Sequence, residues 1–226
     1  MKNYTFAGLE IAPANVIFKN GHFSIAENWE ENSYYRTYGK EEKSTYFNYH
    51  EAKKINIDGW RLPTYEEWKA IIGNSRAGAT VNGTPSCRYA HIQLTGVEYA
   101  GSCLPNGLLL FPDGATITGK TLNGVNNRTL TIGVTLLELN AFLNQGCAFL
   151  PAFGMYNDME DDIGGNYIAA DFYNDFGAYW CITEDDGEYG DSLYFDWFEA
   201  YMADGNKQTT YKTKHYLTVR LIRRLL

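Results

Sequence analysis

The chain has 226 residues, a formal net charge of −8, 45% apolar residues and 15% aromatic ones. That length accommodates one large domain or two small ones, and the apolar share can bury a full core without a disulfide framework. The acidic balance excludes nucleic acid as an expected partner. The apolar runs, such as Leu108–Phe111, are strand-sized, which excludes an expected membrane-spanning segment. Met1–Gly8 carries no apolar h-region, so a secretory signal is not expected either.

In chain order, Val16-Ile17-Phe18 and His22–Ile25 flank Lys19-Asn20-Gly21, and Asn-Gly between apolar runs predicts a β-hairpin. Thr45–Ile55 has helical spacing with two unlike faces. A clearer helix follows Gly59-Trp60-Arg61-Leu62-Pro63: Thr64 and Glu67 form a capping box, Trp68, Ile71 and Ile72 an apolar stripe, and Gly73 a stop. Residues 74–106 read as loops and short strands. Leu108–Phe111 and Ala115–Thr118 flank Pro112-Asp113-Gly114, which predicts a second hairpin. Residues 119–133 read as loop. Thr135 with Glu138 opens a third helix, buried through Leu136, Leu137, Leu139, Phe142 and Leu143 and ended by Gly146. The remainder reads as β, with strands at Cys147–Pro151, Tyr179–Thr183, Leu193–Trp197 and Tyr216–Ile222. With no linker and no repeat, the expectation is a single α+β domain over 1–226.

Charge is distributed unevenly. Residues 129–206 contain no lysine or arginine and fifteen carboxylates, among many aromatics. The last twenty residues hold six basic residues and no acidic one. Tyr, Trp and Asp spread over short polar strands have the character of a contact surface, since aromatic rings supply rigid contact area at low entropic cost. The basic tail reads as internal compensation, with Arg220 partly buried and stacked or paired with a carboxylate from the first two-thirds of the chain.

Asp58-Gly59-Trp60-Arg61-Leu62-Pro63-Thr64 running into Glu67-Trp68 resembles the signature of the formylglycine-generating-enzyme type of C-type lectin fold. Phe149-Leu150-Pro151-Ala152 with Gly154, Tyr179-Trp180 with Thr183-Glu184, and Val219–Arg223 resemble the Fibrobacter succinogenes major paralogous domain branch. That branch includes variable proteins diversified by retroelements in phages and gut bacteria. The resemblance implies a C-type lectin fold of α+β class. It has a twisted antiparallel sheet, two principal helices, neighbouring chain ends, and an inserted hairpin and helix at about 74–146. It places Trp60, Leu62, Trp68, Trp180, Val219 and Leu221 at buried scaffold positions, and a variable ligand-binding region at about 166–216. The implied face comprises Asp171, Tyr173, Asp175, Tyr179, Ile182, Asp186, Tyr189, Asp191, Tyr194, Asp196, Phe198 and Tyr201. Retroelement diversification of AAY codons yields residues of these types but not Glu188, Trp197 or Glu199, which would be fixed. The implied function is non-enzymatic recognition of a macromolecular ligand, a protein or glycan on a host or cell surface, from a phage particle or a bacterial surface reached by another route.

Other chemistries are weaker readings of the same residues. Asp158, Glu160, Asp161 and Asp162, and Glu184, Asp185, Asp186 and Glu188, form acidic clusters that could suit calcium. They lack EF-hand spacing, and the calcium-lectin motifs Trp-Asn-Asp and Glu-Pro-Asn are absent, so solvated acidic loops are the reading and no metal is expected. Cys87, Cys103, Cys147 and Cys181 form no CxxC pair. Buried free thiols are expected, with a Cys87–Cys103 bridge as the alternative. His22, His50, His91 and His215 lie in no HExxH or GxSxG motif. No enzyme and no cofactor is expected. The alternatives are a calcium-dependent carbohydrate binder or degenerate enzyme on the same scaffold, or a structural virion or fibre domain.

Overall fold

In the computed structural model the residues described are 4–29, 43–73, 77–96, 98–99, 102–103, 106–125, 131–160, 166–171, 176–183, 187–196, 198–204, 210 and 212–225. They do not form the expected α+β C-type lectin fold. They hold twenty strands shared among seven small sheets, and three α-helices of four, eight and nine residues, so the chain is mostly β. The strands are two to seven residues long, and many are polar, which is why sequence periodicity understates them.

Local signals of high specificity produce the elements they predict. Asn20 and Gly21 both take positive φ (54° and 81°), the geometry of a two-residue hairpin turn, between Val16–Lys19 and His22–Ile25. Thr64 caps helix α2 (Tyr65–Ile72), its side chain accepting from the Glu67 N–H at 3.2 Å while the Glu67 carboxylate accepts from the Thr64 N–H at 2.9 Å. Arg61 grips the same carboxylate through both terminal nitrogens at 2.8 and 2.6 Å. The Arg61 contact is the main force holding Glu67 below the usual carboxylate range. Thr135 and Glu138 form the same box on α3 (Leu136–Asn144). By contrast, helical spacing over 45–55 yields only α1 (Tyr49–Ala52), capped by Asn48.

The second predicted hairpin does not form. Gly107–Leu110 instead lies in the middle of a four-stranded sheet, between Tyr89–Thr95 and Ala148–Pro151. Thr116–Ile117 runs parallel to Ala79–Val81 in another sheet. The apolar run explains its own placement: Leu108, Leu109, Leu110 and Phe111 are all fully buried, and a strand covered on both sides needs apolar residues at every position. Leu108 and Leu110 face one apolar cluster, with Trp68, Leu193 and Phe195. Leu109 and Phe111 face another, with Ile92, Val134, Phe142 and Phe149. Alternation along one strand thus separates two apolar layers. The Asp113 turn serves a different contact, its carboxylate accepting from the Ala7 and Gly8 N–H groups at 3.0 and 2.8 Å and pairing with buried Arg88 at 2.5 Å.

The two ends of the described chain meet, Leu9–Ile11 pairing antiparallel with Ile222–Arg224. Leu62, Trp68, Trp180, Val219 and Leu221 are buried. Trp60 is only partly buried, under the Arg223 guanidinium 4.4 Å from its ring centre. Arg220 departs from expectation: it is completely buried and its partners are not carboxylates. It donates to Asn15 Oδ1 at 2.9 Å, the Ala12 carbonyl at 2.8 Å and the Phe149 carbonyl at 2.7 Å. Burial draws its pKa down to about 10, still charged at neutral pH.

Candidate ligand-binding face

Three antiparallel strands, Gly177–Trp180, Ser192–Phe195 and Ala200–Ala203, carry the described part of the late aromatic region. Their register fixes which side chains share a side. Tyr179, Leu193 and Met202 form one cross-strand row and Gly177, Phe195 and Ala200 the next, both turned to the cluster around Trp68. The row Ala178, Tyr194, Tyr201 points the other way. Phe195 lies across Gly177 so closely that an added Cβ would meet its ring at 2.1 Å, which ties the strand pair.

On the outer side an aromatic ladder runs from the interior to solvent. Phe176 is buried and stacks on half-buried Tyr194, centroids 4.7 Å apart. Tyr194 leans on Tyr201, 5.1 Å away, and Tyr201 is 41% exposed. The turn joining the last two strands adds Phe198, 74% exposed. Asp196 shapes this turn: its Oδ1 accepts from the Phe198 and Glu199 N–H groups at 2.8 and 3.0 Å, and its own N–H donates to the Glu199 carbonyl at 3.0 Å. The Tyr201 hydroxyl is raised in pKa, first by partial burial and then by the nearby charges of Glu199 and Asp196.

Beneath the turn sits a group the sequence did not single out. His91, from Tyr89–Thr95, is buried edge-to-face against Tyr89, with centroids 5.4 Å apart. Its Nδ1 has no hydrogen-bond partner among the described residues, and it lines a cavity of about 10 Å³ with Asn106, Thr131 and Asp196. That is the scale of one water molecule. Burial pulls the imidazole below its ordinary pKa, against the carbonyl and carboxylate of Asp196, which act the other way.

The predicted face is therefore divided. Tyr194, Asp196, Phe198 and Tyr201 come together at one end of the sheet. Ile182, Tyr189 and Asp191 are half-buried around the connection at its opposite end, where the Asp191 N–H donates to Thr183 Oγ1 at 2.7 Å. Tyr179 is a correction: it is completely buried, its hydroxyl donating to the Pro151 carbonyl at 2.9 Å, because register places it opposite Leu193 on the core side. Asp171 pairs through its backbone with Met155. Tyr173, Asp175 and Asp186 lie outside the described residues, as do Asp161, Asp162, Glu184 and Asp185 of the acidic clusters. Phe176, Glu199, Tyr89 and His91 were missed. Two of them come from a strand a hundred residues earlier, and no sequence signal joins that strand to this turn.

Elsewhere the chemistry is quiet. Cys87, Cys147 and Cys181 are buried free thiols. Burial raises all three pKa values, that of Cys147 to about 12, so none is a ready nucleophile. No group of three potential metal-ligating side chains occurs among the described residues. An open cleft of about 790 Å³ lies beside the paired chain ends, lined by Arg61, Arg223 and Arg224; Glu67 and Glu10 engage the first two, and Arg224 is exposed. No helix among the described residues is long and apolar enough to cross a membrane.

A family model described as a domain of unknown function (DUF8237) matches residues 24–103. The match covers about a third of the chain, takes in the strand that carries His91, and stops short of the aromatic turn. No curated protein and no solved structure matches.

Proposed function

We propose that this chain is a non-enzymatic binding protein that presents Tyr194, Tyr201 and Phe198, at the turn between Ser192–Phe195 and Ala200–Ala203, to a macromolecular ligand, a protein or glycan on a cell surface. The observation that carries this reading is the ladder Phe176–Tyr194–Tyr201, leading out of the core to the exposed ring of Tyr201, with exposed Phe198 on the adjoining turn. Exposed large rings on a packed frame are costly to leave in water and characteristic of contact surfaces. Beneath the rings, Gly177–Trp180 is buried throughout, and Leu193 and Phe195 of the next strand are packed in the core, so the rings stand on a firm frame, and a rigid paratope loses less entropy on binding.

The same reading includes diversification of the exposed positions by a retroelement, now without the lectin scaffold. A reverse-transcriptase gene and an adenine-rich near-copy of the 3′ end beside the coding sequence would support that part, and their absence would remove it. The binding reading is tested on arrays of glycans and extracellular proteins. The expected result is a ligand that loses at least about tenfold in affinity with Phe198→Ala and Tyr201→Ala, since central aromatic contacts contribute about 2 kcal/mol each. Those variants keep their melting temperature, whereas Trp180→Ala, which removes a fully buried ring donating to the Phe47 carbonyl, unfolds the protein. Ligand binding that survives both surface substitutions would refute the assignment of this face.

A further inference from the structure

We infer that the partner of this face inserts an arginine side chain, its guanidinium lying on the exposed ring of Tyr201 and forking toward the carboxylates of Glu199 and Asp196. The inference rests on the binding role proposed above and deepens it. The charges that reach the Tyr201 hydroxyl are both negative. Glu199 is exposed, and among the described residues its carboxylate has neither an ion pair nor a hydrogen bond. Asp196 spends Oδ1 on two backbone N–H groups, and among the described residues Oδ2 has no partner. The sequence supplies no cation locally, since residues 129–206 hold no lysine or arginine. Among the described residues, two carboxylates beside an exposed aromatic ring thus have no counter-charge, and a partner can bring one.

Arginine fits this arrangement better than lysine. Its planar guanidinium stacks on an aromatic face and offers several N–H donors in one plane, so one group can satisfy ring and carboxylates together. A lysine ammonium is a compact, strongly hydrated charge that gains from the carboxylates but stacks poorly. The Asp196 turn holds Phe198 at the rim, where it can cover the apolar stem of an incoming arginine and limit water access.

The probe is a set of fluorescein-labelled peptides of Gly-Ser-Arg, Gly-Ser-Lys and Gly-Ser-Glu repeats, titrated by anisotropy at low and moderate salt with the full chain. The expected result is binding of the arginine peptide about tenfold tighter than the lysine peptide, and none of the glutamate peptide. Tyr201→Ala and Glu199→Gln should each weaken the arginine peptide about fivefold with unchanged melting temperature. Asp58→Asn, which removes an equal charge from the cleft beside the chain ends, should have no effect. Equal affinity for arginine and lysine peptides, or equal loss with Asp58→Asn, would reduce the effect to general attraction by an acidic protein and overturn the inference. If no peptide binds while an array ligand binds in a Tyr201-dependent way, the arginine inference falls and the binding face stands. If array ligands also ignore Tyr201 and Phe198, both fall.

Discussion

Tyr179 and Tyr201 occupy strands of one small sheet and have opposite fates. Tyr179 is sealed in the interior and Tyr201 meets solvent, because the register sets one opposite Leu193 and the other opposite Tyr194. Alternation within Leu193-Tyr194-Phe195 is legible in the sequence; which residue of a neighbouring strand joins which row is not. A one-residue change of register would exchange their roles. His91 has a measurable consequence at this scale. Its folded pKa lies below the ordinary value of 6.5, so the unfolded chain takes up the proton first as pH falls. Stability is therefore fully present above about pH 6.5 and declines as acid is added, by at most about 1.4 kcal/mol per pH unit, until the folded imidazole protonates as well. Urea midpoints measured between pH 7.5 and 5.5 should show that slope, and His91→Gln should flatten it.

Helices and turns were the elements read most directly. Thr64 with Glu67 and Thr135 with Glu138 specify helix starts within four residues of chain, and both boxes form. Thr64→Ala should cost about 1 kcal/mol in a urea titration, without shifting the aromatic face. A smaller loss would mean that Arg61, which also grips Glu67, holds the helix start without the threonine. The hairpin predicted at 108–118 failed for a physical reason. Pro-Asp-Gly allows a turn but does not oblige its flanks to pair, and the Asp113 carboxylate is drawn to the N–H groups of Ala7 and Gly8. Leu108–Phe111 then has both edges free for Tyr89–Thr95 and Ala148–Pro151, which bury it more completely. Short polar strands such as Thr84–Cys87 left no periodic trace at all, which is why the expected α+β class gave way to a mostly β chain.

Across the whole molecule, Arg220 joins segments that are remote in sequence: the Ala12–Asn15 segment near the N-terminus, Phe149 in the central sheet, and its own C-terminal stretch. The guanidinium satisfies two buried carbonyls and an amide oxygen that would otherwise be orphaned. Arg220→Ala should therefore destabilise the chain by about 3–5 kcal/mol, and Arg220→Lys should recover only part, because one ammonium cannot span three acceptors in different directions. A melting temperature unchanged in both variants would show that these acceptors find other partners.

The sequence by itself determined the helix starts at Thr64 and Thr135, the Asn20-Gly21 hairpin, the apolar stripe with Trp68, and the concentration of acidic and aromatic residues in the last third. All of these depend on spacing within a few residues or on composition. The tertiary structure alone decided that Gly107–Leu110 is a central strand, that Arg220 is bound by carbonyls, and that His91 lies under the aromatic turn. Those outcomes depend on strand register between distant segments, where many pairings satisfy the same local pattern and only the packing of both faces selects one.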